Sequence, residues 1–403
     1  MNSPHTVRTG PIRYATAARF ARPRPVPAED TSPPSEGICP QPPSRLEALM
    51  GPPPGRHPQS EDCLHLTVTA PAAPGTGRPV LVWFHGGGFS SGAGILDWYD
   101  GSSLAAEQDV IVVSASYRLG ALGFLLHEGV SEGNLGLYDQ VEALRWVQAH
   151  IADHGGDPAN VTVFGQSAGA LSALLLLQSP QAAGLFGRVI LQSPPLSIAT
   201  RTPAEARETG RIFAAHLGTD LRTASAEELL AAHRRTAADH QRRTGNSLAP
   251  PFGPVRGVPP LPAESGTPAF GGHAPDMLYG WNADDMSAFP EGPSDRGSVA
   301  ERTRRVYQEP LRDLHERWER QGGRAFGYRL DWRPPGAPHG ATHCVEIPLV
   351  LGTPHAWRHA PMLGDLTWAE VDAAGRRVRA AWASFARTGD PGELPAPLVA
   401  LPR

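Results

Sequence analysis

The 403-residue sequence contains no lysine, so all 36 of its basic residues are arginines. This absence removes lysine from the possible general bases. Charged residues make up 19% of the chain, fewer than the usual quarter, and the formal net charge is −4. We therefore expect no binding of nucleic acid or of anionic membranes, because both require clustered positive charge.

The sequence also lacks any apolar run long enough to span a membrane. Its first thirty residues are rich in arginine and have no continuous apolar stretch of the kind found in secretory signals. Together these features predict a cytoplasmic protein. No cluster of cysteine and histidine has the spacing of metal ligands, so we expect no bound metal and no metal-assisted hydrolysis.

Cysteine is scarce, with only three residues in the chain. Cys39 and Cys63 are close enough in the sequence for a disulfide that would close a short loop, whereas Cys344 stands alone. In a reducing cytosol, two small buried thiols are the better interpretation of Cys39 and Cys63.

Strand-like and helix-like segments alternate from Cys63 onward. The stretch DVIVVSASY is almost continuously apolar, which is typical of a strand buried on both faces of a parallel sheet. The alternation predicts an α/β fold with a mostly parallel central sheet, covered by helices on both faces and connected by right-handed crossovers.

The chain contains no internal repeat and no clear linker, so we expect one catalytic domain over residues 1–403. Residues 1–60 are rich in proline and glycine, which predicts an irregular N-terminal wrap with a few short strands. Residues 198–250 and 291–325 are polar, rich in arginine and helically spaced. We expect them to form helical insertions that cover the sheet or the mouth of the site.

Two helix starts are marked by capping-box patterns, in which a polar residue is followed three positions later by glutamate. Asp139 with Glu142 predicts a helix that ends near Gly155, and Thr367 with Glu370 predicts one that ends at Gly389.

The strongest chemical signal is Gly165-Gln166-Ser167-Ala168-Gly169, a G-x-S-x-G motif between a predicted strand and a predicted helix. At such a turn the flanking glycines let strand and helix approach each other, and the serine hydroxyl is held out at the end of the sheet. A glycine-rich turn that merely contains serine is the alternative. The context favours Ser167 as a nucleophile.

The segment His85-Gly86-Gly87-Gly88-Phe89 directly follows the strand-like PVLVWF. Ester cleavage passes through a tetrahedral oxyanion, which backbone N–H groups stabilise best when they are fixed in advance. Glycines let the main chain approach the substrate. An HGGG loop ahead of a G-x-S-x-G turn is the order expected of an esterase rather than of a flexible surface turn.

With these motifs the chain resembles the type B carboxylesterase family, which includes bacterial para-nitrobenzyl esterases and cholinesterases. The matching blocks are the HGGGF loop, SEDCLHLTV (60–68), YDGSSLA (99–105), SYRLGALGF (116–124), GNLGLYDQVEALRWV (133–147), GGDPANVTVFGQSAG (155–169), GLFGRVILQS (184–193) and WASFARTGDP (382–391). The resemblance implies an α/β-hydrolase fold, no cofactor, a small-molecule ester substrate, and a triad in the order serine, acid, histidine.

The resemblance also assigns the remaining triad members by position. The family's G-A-x-H-x-x-E-x-P-like segment matches Gly340–Pro348, which implies His343 as the base. Its acid closes a segment that corresponds to Gly280–Met286, where Asp285 stands in the place usually taken by glutamate. Asp284 is the rival acid, and its position in the motif is less favourable.

These assignments imply that Ser167 attacks the acyl carbon while His343 takes its proton and Asp285 orients the imidazole. The N–H groups of Gly87, Gly88 and Ala168 would receive the oxyanion. Three aromatic residues are candidates for the substrate pocket, although aromatic residues near a core more often serve packing. They are Phe89, Trp98 and Phe289.

Three classes of function fit this pattern. The first is a serine carboxylesterase acting through an acyl-enzyme, and the second is an acyltransferase, thioesterase or amidase with the same triad. The third is a catalytically silent binding homologue, which the presence of Ser167, His343 and an acid disfavours. The stretch from Asp285 to His343 is shorter than is typical of the family, which favours an open pocket.

Overall fold

The computed structural model describes residues 5–27, 32–33, 35–198, 200–246, 248–263, 274–293 and 295–402. Within these ranges, nine strands form one central sheet. In chain order they are β1 (Thr6–Arg13), β2 (His65–Pro71), β3 (Arg78–Phe84), β4 (Ile111–Ala115), β5 (Gly156–Gln166), β6 (Arg188–Gln192), β7 (Asp276–Asn282), β8 (Ala325–Leu330) and β9 (Leu398–Ala400).

The spatial order of the strands is β1-β2-β4-β3-β5-β6-β7-β8-β9. The six strands from β4 to β8 in this order all run parallel. The β1–β2, β2–β4 and β8–β9 pairs are antiparallel. The predicted α/β class with a mostly parallel sheet is therefore confirmed.

Two hydrophobic cores lie on opposite faces of this sheet. Side chains alternate between the faces of a strand, and in β3 the residues Val80, Val82 and Phe84 enter one core while Leu81 and Trp83 enter the other. Every residue of β3 and of β4 is buried. This double burial explains why these strands are nearly uninterrupted apolar runs.

Helices cover both faces of the sheet. Their bounds are Glu47–Met50, Ser102–Gln108, Gly120–Phe124, Leu135–His150, Ala168–Leu176, Pro203–Leu217, Ala226–Thr244, Val299–Thr303, Glu309–Arg320, Ile347–Val350, Pro354–Trp357 and Trp368–Thr388, with a π-helical segment at Arg304–Gln308. No helix in the described ranges is both long enough and apolar enough to cross a membrane.

The predicted start of one helix at Asp139 is wrong. The helix begins at Leu135, after Asn134 in the left-handed conformation with a φ of 53°. Asp139 lies fully buried within it and accepts hydrogen bonds from the backbone N–H and guanidinium of Arg118, at distances between 2.7 and 3.0 Å. Its carboxylate neutralises a buried cation and is therefore not available as a cap.

The start predicted at Thr367 is confirmed. The Thr367 hydroxyl accepts a hydrogen bond from the backbone N–H of Glu370, whose carboxylate accepts one from the backbone N–H of Thr367. The helix ends at Gly389 with a φ of 74°, as the sequence indicates.

Residues 1–60 contribute the edge strand β1, and most of the remaining described part is irregular. The two segments expected to be helical insertions contain the helices Pro203–Leu217, Ala226–Thr244 and Glu309–Arg320. Glu205 of the first and His240 of the second line the cavity described below, whereas Trp318 of the third donates a hydrogen bond to the carbonyl oxygen of Pro275, just before the amino end of β7.

Candidate active site

Ser167 occupies a sharp turn between β5 and the helix Ala168–Leu176. Its backbone has a φ of 55° and a ψ of −121°, and its N–H donates to the carbonyl oxygen of Gln192 at 2.9 Å. A positive φ at a residue other than glycine stores backbone strain. A Cβ on Gly169 would lie 1.8 Å from the carbonyl oxygen of Phe84, so only glycine lets the helix approach β3 this closely.

The loop after β3 lies beside this turn. Gly87 has a φ of 100°, and a Cβ there would lie 2.0 Å from the carbonyl oxygen of Ser91. Among the described residues, the backbone N–H groups of Gly87 and Gly88 donate to no protein acceptor. Ala168 is the first residue of its helix, where the N–H has no acceptor within the helix. These N–H groups are therefore available to an anionic oxygen.

His343 and Asp285 form a fully buried pair. The Nδ1 atom of His343 lies 2.7 Å from Oδ1 of Asp285. The second oxygen of Asp285 accepts from the hydroxyl of Ser193 at 2.9 Å and from the backbone N–H of Asn282 at 2.8 Å. Three donors therefore fix the carboxylate, and the carboxylate fixes Nδ1 of the imidazole as the protonated nitrogen.

The neighbouring Asp284 points elsewhere. Its carboxylate accepts from Nε of Arg333 at 2.7 Å and from the backbone N–H of Ala341 at 2.9 Å. It thus forms a peripheral ion pair, and of the two adjacent aspartates it is Asp285 that contacts His343.

A cavity of about 450 Å³ opens beside Ser167. Gly87, Gly88 and Ala168 line it, together with two of the three aromatic residues proposed for the pocket, Phe89 and Phe289. The ring of Phe289 lies 5.2 Å from that of His343.

Trp98, the third proposed aromatic residue, lines a separate cavity of about 280 Å³ behind the glycine loop. Its ring stacks on that of Trp357 at a centroid distance of 5.9 Å, and the side chain is buried in the core. Trp98 is therefore not brought to the cavity beside Ser167.

A comparison with protein families matches residues 10–308 to the carboxylesterase family. The chain belongs to the carboxylesterase family. The matched range contains Ser167 and Asp285 and ends before His343, which the structure brings into contact with Asp285.

Two curated relatives extend the similarity beyond the range of the family match. The chain is 41% identical to a probable N-octanoylanthranilate hydrolase of Rhodococcus erythropolis over 402 residues, which cover 94% of this chain and 88% of the relative. It is 36% identical to the para-nitrobenzyl esterase of Bacillus subtilis over 394 residues, covering 88% and 79%.

The comparison with solved structures also finds esterases. A para-nitrobenzyl esterase structure matches 99% of this chain and 90% of its own, with a TM-score of 0.83 at 30% identity. The expected family, the α/β-hydrolase fold and the class of activity, a serine carboxylesterase, are thereby confirmed.

In this carboxylesterase, the side chain of Gln166 contacts the imidazole directly, a role that sequence reasoning missed. Its Nε2 lies 2.9 Å from Nε2 of His343. Because Nδ1 of His343 donates to Asp285, Nε2 carries a lone pair, and the Gln166 amide donates to it. The sequence signal was its position at the end of β5, immediately before the nucleophile candidate.

Glu346 is a second carboxyl group buried close to this pair, and it was also missed as a site residue. Its Oε2 accepts from Nδ2 of Asn282 at 2.5 Å, whereas Oε1 has no partner among the described residues. Burial, with a further contribution from the charge of Asp285, raises the pKa of Glu346 to about 7. Glu346 is therefore partly protonated near neutral pH.

This pKa predicts how stability depends on pH. The folded state binds a proton at Glu346 up to about pH 7, whereas the unfolded state loses it near the ordinary pKa of 4.5. The free energy of unfolding therefore falls, by about 3 kcal/mol from this group, as pH rises between these values. We expect Glu346→Gln to remove this fall, so that the variant gains stability relative to the wild type from pH 4 to pH 8.

Urea denaturation of both proteins across this range measures the difference. Glu227→Gln, which removes an exposed carboxyl group, is the control. Parallel pH dependences for the wild type and Glu346→Gln would contradict the prediction.

Two observations concern possible metal ligands and the cysteines. The described residues contain no group of three or more histidine, cysteine, aspartate or glutamate side chains that could hold a metal ion. All three cysteines are free and buried.

Proposed function

We propose that Ser167, His343 and Asp285 form the catalytic triad of a serine carboxylesterase that acts on small and medium-sized esters. One observation carries the proposal. The buried Asp285–His343 pair lies beside the Ser167 turn, since Nε2 of His343 contacts Gln166, the residue before Ser167.

The proposed reaction follows from the geometry. Nε2 of His343 takes the proton of the Ser167 hydroxyl as its oxygen attacks the ester carbon, and Asp285 stabilises the imidazolium that forms. For this step Nε2 must exchange its hydrogen bond with Gln166 for one with Ser167. The N–H groups of Gly87, Gly88 and Ala168 stabilise the oxyanion, and His343 then protonates the leaving alcohol. Water repeats the sequence on the acyl-enzyme.

We place this activity in a single domain spanning residues 1–403, whose segments 198–250 and 291–325 cover the cavity mouth. Ile198 and Val306 line the cavity, which supports this assignment. We further propose a cytoplasmic location, which is consistent with three cysteines that form no disulfide.

A fluorophosphonate probe tests the nucleophile directly, because it reacts only with an activated serine. After labelling and proteolysis, we expect the modified peptide to contain Ser167. Labelling of another residue, or none at all with a folded protein, would contradict the proposed mechanism.

The cavity limits the acyl chain. A volume of about 450 Å³ falls at the low end of ligand sites in proteins. We expect kcat/KM for p-nitrophenyl butyrate to exceed that for p-nitrophenyl palmitate by at least about tenfold, or about 1.4 kcal/mol in transition-state binding. Measurements on both esters in the same detergent decide the matter, and a preference for palmitate would reveal a lipase-like tunnel.

Amide hydrolysis is the second candidate, because a relative at 41% identity is named for N-octanoylanthranilate, in which the acyl group is attached to nitrogen. The triad acts on both bonds, and the leaving group differs. Turnover of butyryl p-nitroanilide at a rate within about tenfold of the matching p-nitrophenyl ester would favour the amidase.

A further inference from the structure

The cavity beside Ser167 carries more positive than negative charge. Among the described residues that line it, the charged side chains are Arg45, Arg201 and Glu205. Arg45 belongs to the N-terminal segment, whereas Arg201 precedes the helix Pro203–Leu217. Two distant parts of the chain thus each place a guanidinium group in the same cavity.

Arg45 lies against the glycine loop. A Cβ built on Gly88 would be 2.9 Å from Nη2 of Arg45, and this nitrogen also donates to the carbonyl oxygen of Leu248 at 3.3 Å. The side chain is accessible to solvent, yet the surrounding protein removes enough water to lower the pKa of Arg45. A cation that is accessible and partly dehydrated binds anions more strongly than one on an open surface.

Arg201 lines the cavity from another segment of the chain. Its Nη2 donates to the carbonyl oxygen of Pro250 and contacts Nε2 of His240 at 3.4 Å. Burial, reinforced by the charges of Arg201 and Arg243, lowers the pKa of His240 to about 4. His240 is therefore neutral at pH 7 and contributes no further cation.

Glu205 does not cancel these charges. Its carboxylate accepts from the backbone N–H and from the hydroxyl of Thr202, each at 2.8 Å, and so caps the helix. Burial lowers the pKa of Arg201, and the charge of Glu205 offsets only part of that effect. Among the described lining residues, two guanidinium groups therefore face one carboxylate, an excess of positive charge close to Ser167.

We propose that the preferred substrates of this site carry a carboxylate group, which Arg45 binds while the ester carbonyl lies against Ser167. Arg201 adds to the attraction. The inference rests on the proposed function, since Ser167 defines where the carbonyl lies. Guanidinium and carboxylate are matched in geometry as well as in charge, because the planar fork of N–H donors meets two oxygens.

Two matched pairs of esters test the inference. Mono-p-nitrophenyl glutarate and its methyl ester place the carboxylate, or its neutral counterpart, on the acyl side. Para-acetoxybenzoate and its methyl ester place it on the alcohol side. The measured quantity is the ratio of kcat/KM for the anionic ester to that for the neutral ester. Any difference between variants in the fraction of folded enzyme cancels in this ratio.

We expect Arg45→Met to lower this ratio at least about tenfold for one of the two pairs, and Arg201→Met to lower it about threefold. The pair that responds shows which side of the ester carries the charge. Added salt should lower the ratio of the wild type as well. Arg211→Met is the matched control, because Arg211 lies outside the cavity and pairs with Glu208; it should leave the ratio unchanged.

Ratios unaffected by Arg45→Met and Arg201→Met in both pairs would overturn the inference. An equal loss on the anionic and neutral members would overturn it too, since Arg45 would then act on the reacting carbonyl. The neutral esters report on ester hydrolysis itself, so their turnover by the wild type separates these failures from a failure of the proposed function.

Discussion

Ser167→Ala should abolish hydrolysis of p-nitrophenyl butyrate, with kcat/KM falling at least about 10⁴-fold. The hydroxyl removed is the only part of the residue that reacts. The fold should persist, because the hydrogen bond from this residue to Gln192 uses the backbone N–H. Alanine accepts the positive φ of this turn at a cost similar to that of serine.

Steady-state kinetics and circular dichroism of the purified variant provide the test. Ser193→Ala is a useful control, since that hydroxyl contacts Asp285 and makes no proposed covalent bond. It should lower the rate far less. Activity of Ser167→Ala above about one hundredth of the wild type, in a folded protein, would identify another nucleophile.

Asp285→Asn should lower kcat by about 10³- to 10⁴-fold. The amide either presents N–H to Nδ1 of His343, which forces the wrong tautomer, or its oxygen accepts a hydrogen bond from Nδ1–H without the negative charge that stabilises the imidazolium. The adjacent Asp284→Asn removes a carboxylate of the same size that pairs with Arg333 at the periphery of the site. We expect its kcat to stay within about threefold of the wild type, since exposed ion pairs contribute little.

The ranking of these two variants is more informative than either value. Both variants replace one carboxylate oxygen by an amide nitrogen, and they do so at neighbouring positions. Any general disturbance of the loop should therefore be similar in the two. A larger loss in Asp284→Asn would show that the acid of the triad is displaced by one residue from the position proposed.

The parts of the site that the sequence predicts are local in the chain. The Ser167 turn and the glycine loop each depend on a few consecutive residues, and glycine occurs there because a Cβ would collide with Phe84 or Ser91. A motif of five residues is therefore enough to predict the backbone conformation of its own turn.

The contacts that sequence reasoning missed depend on the approach of distant segments. Gln166 contacts His343 across 177 positions, and Arg45 reaches Gly88 from the N-terminal segment. The raised pKa of Glu346 results from burial, which no local pattern reports. Trp98 was a pocket candidate as an aromatic residue, but its ring stacks on that of Trp357, which is far along the chain.

A local pattern also failed where a side chain serves a tertiary partner. The Asp139-x-x-Glu142 spacing has the form of a helix start, yet Asp139 is committed to the buried guanidinium of Arg118. The same spacing at Thr367 predicts correctly, because the hydroxyl of Thr367 accepts the backbone N–H of Glu370 and completes the cap.

Asn282 links the two loops that hold the proposed acid and the proposed base. Its backbone N–H donates to Asp285, and its side chain donates to the carbonyl oxygen of Thr342 and to Glu346. The loops of Asp285 and His343, both in the C-terminal half of the chain, are thus hydrogen-bonded to each other. They can take part in the proposed reaction only when they pack against the Ser167 turn, which lies in the N-terminal half. Folding must close loops of well over a hundred residues before a single turnover can occur. Enzyme activity should therefore disappear in denaturant together with the far-ultraviolet circular dichroism signal, so that turnover reports on the cooperativity of unfolding.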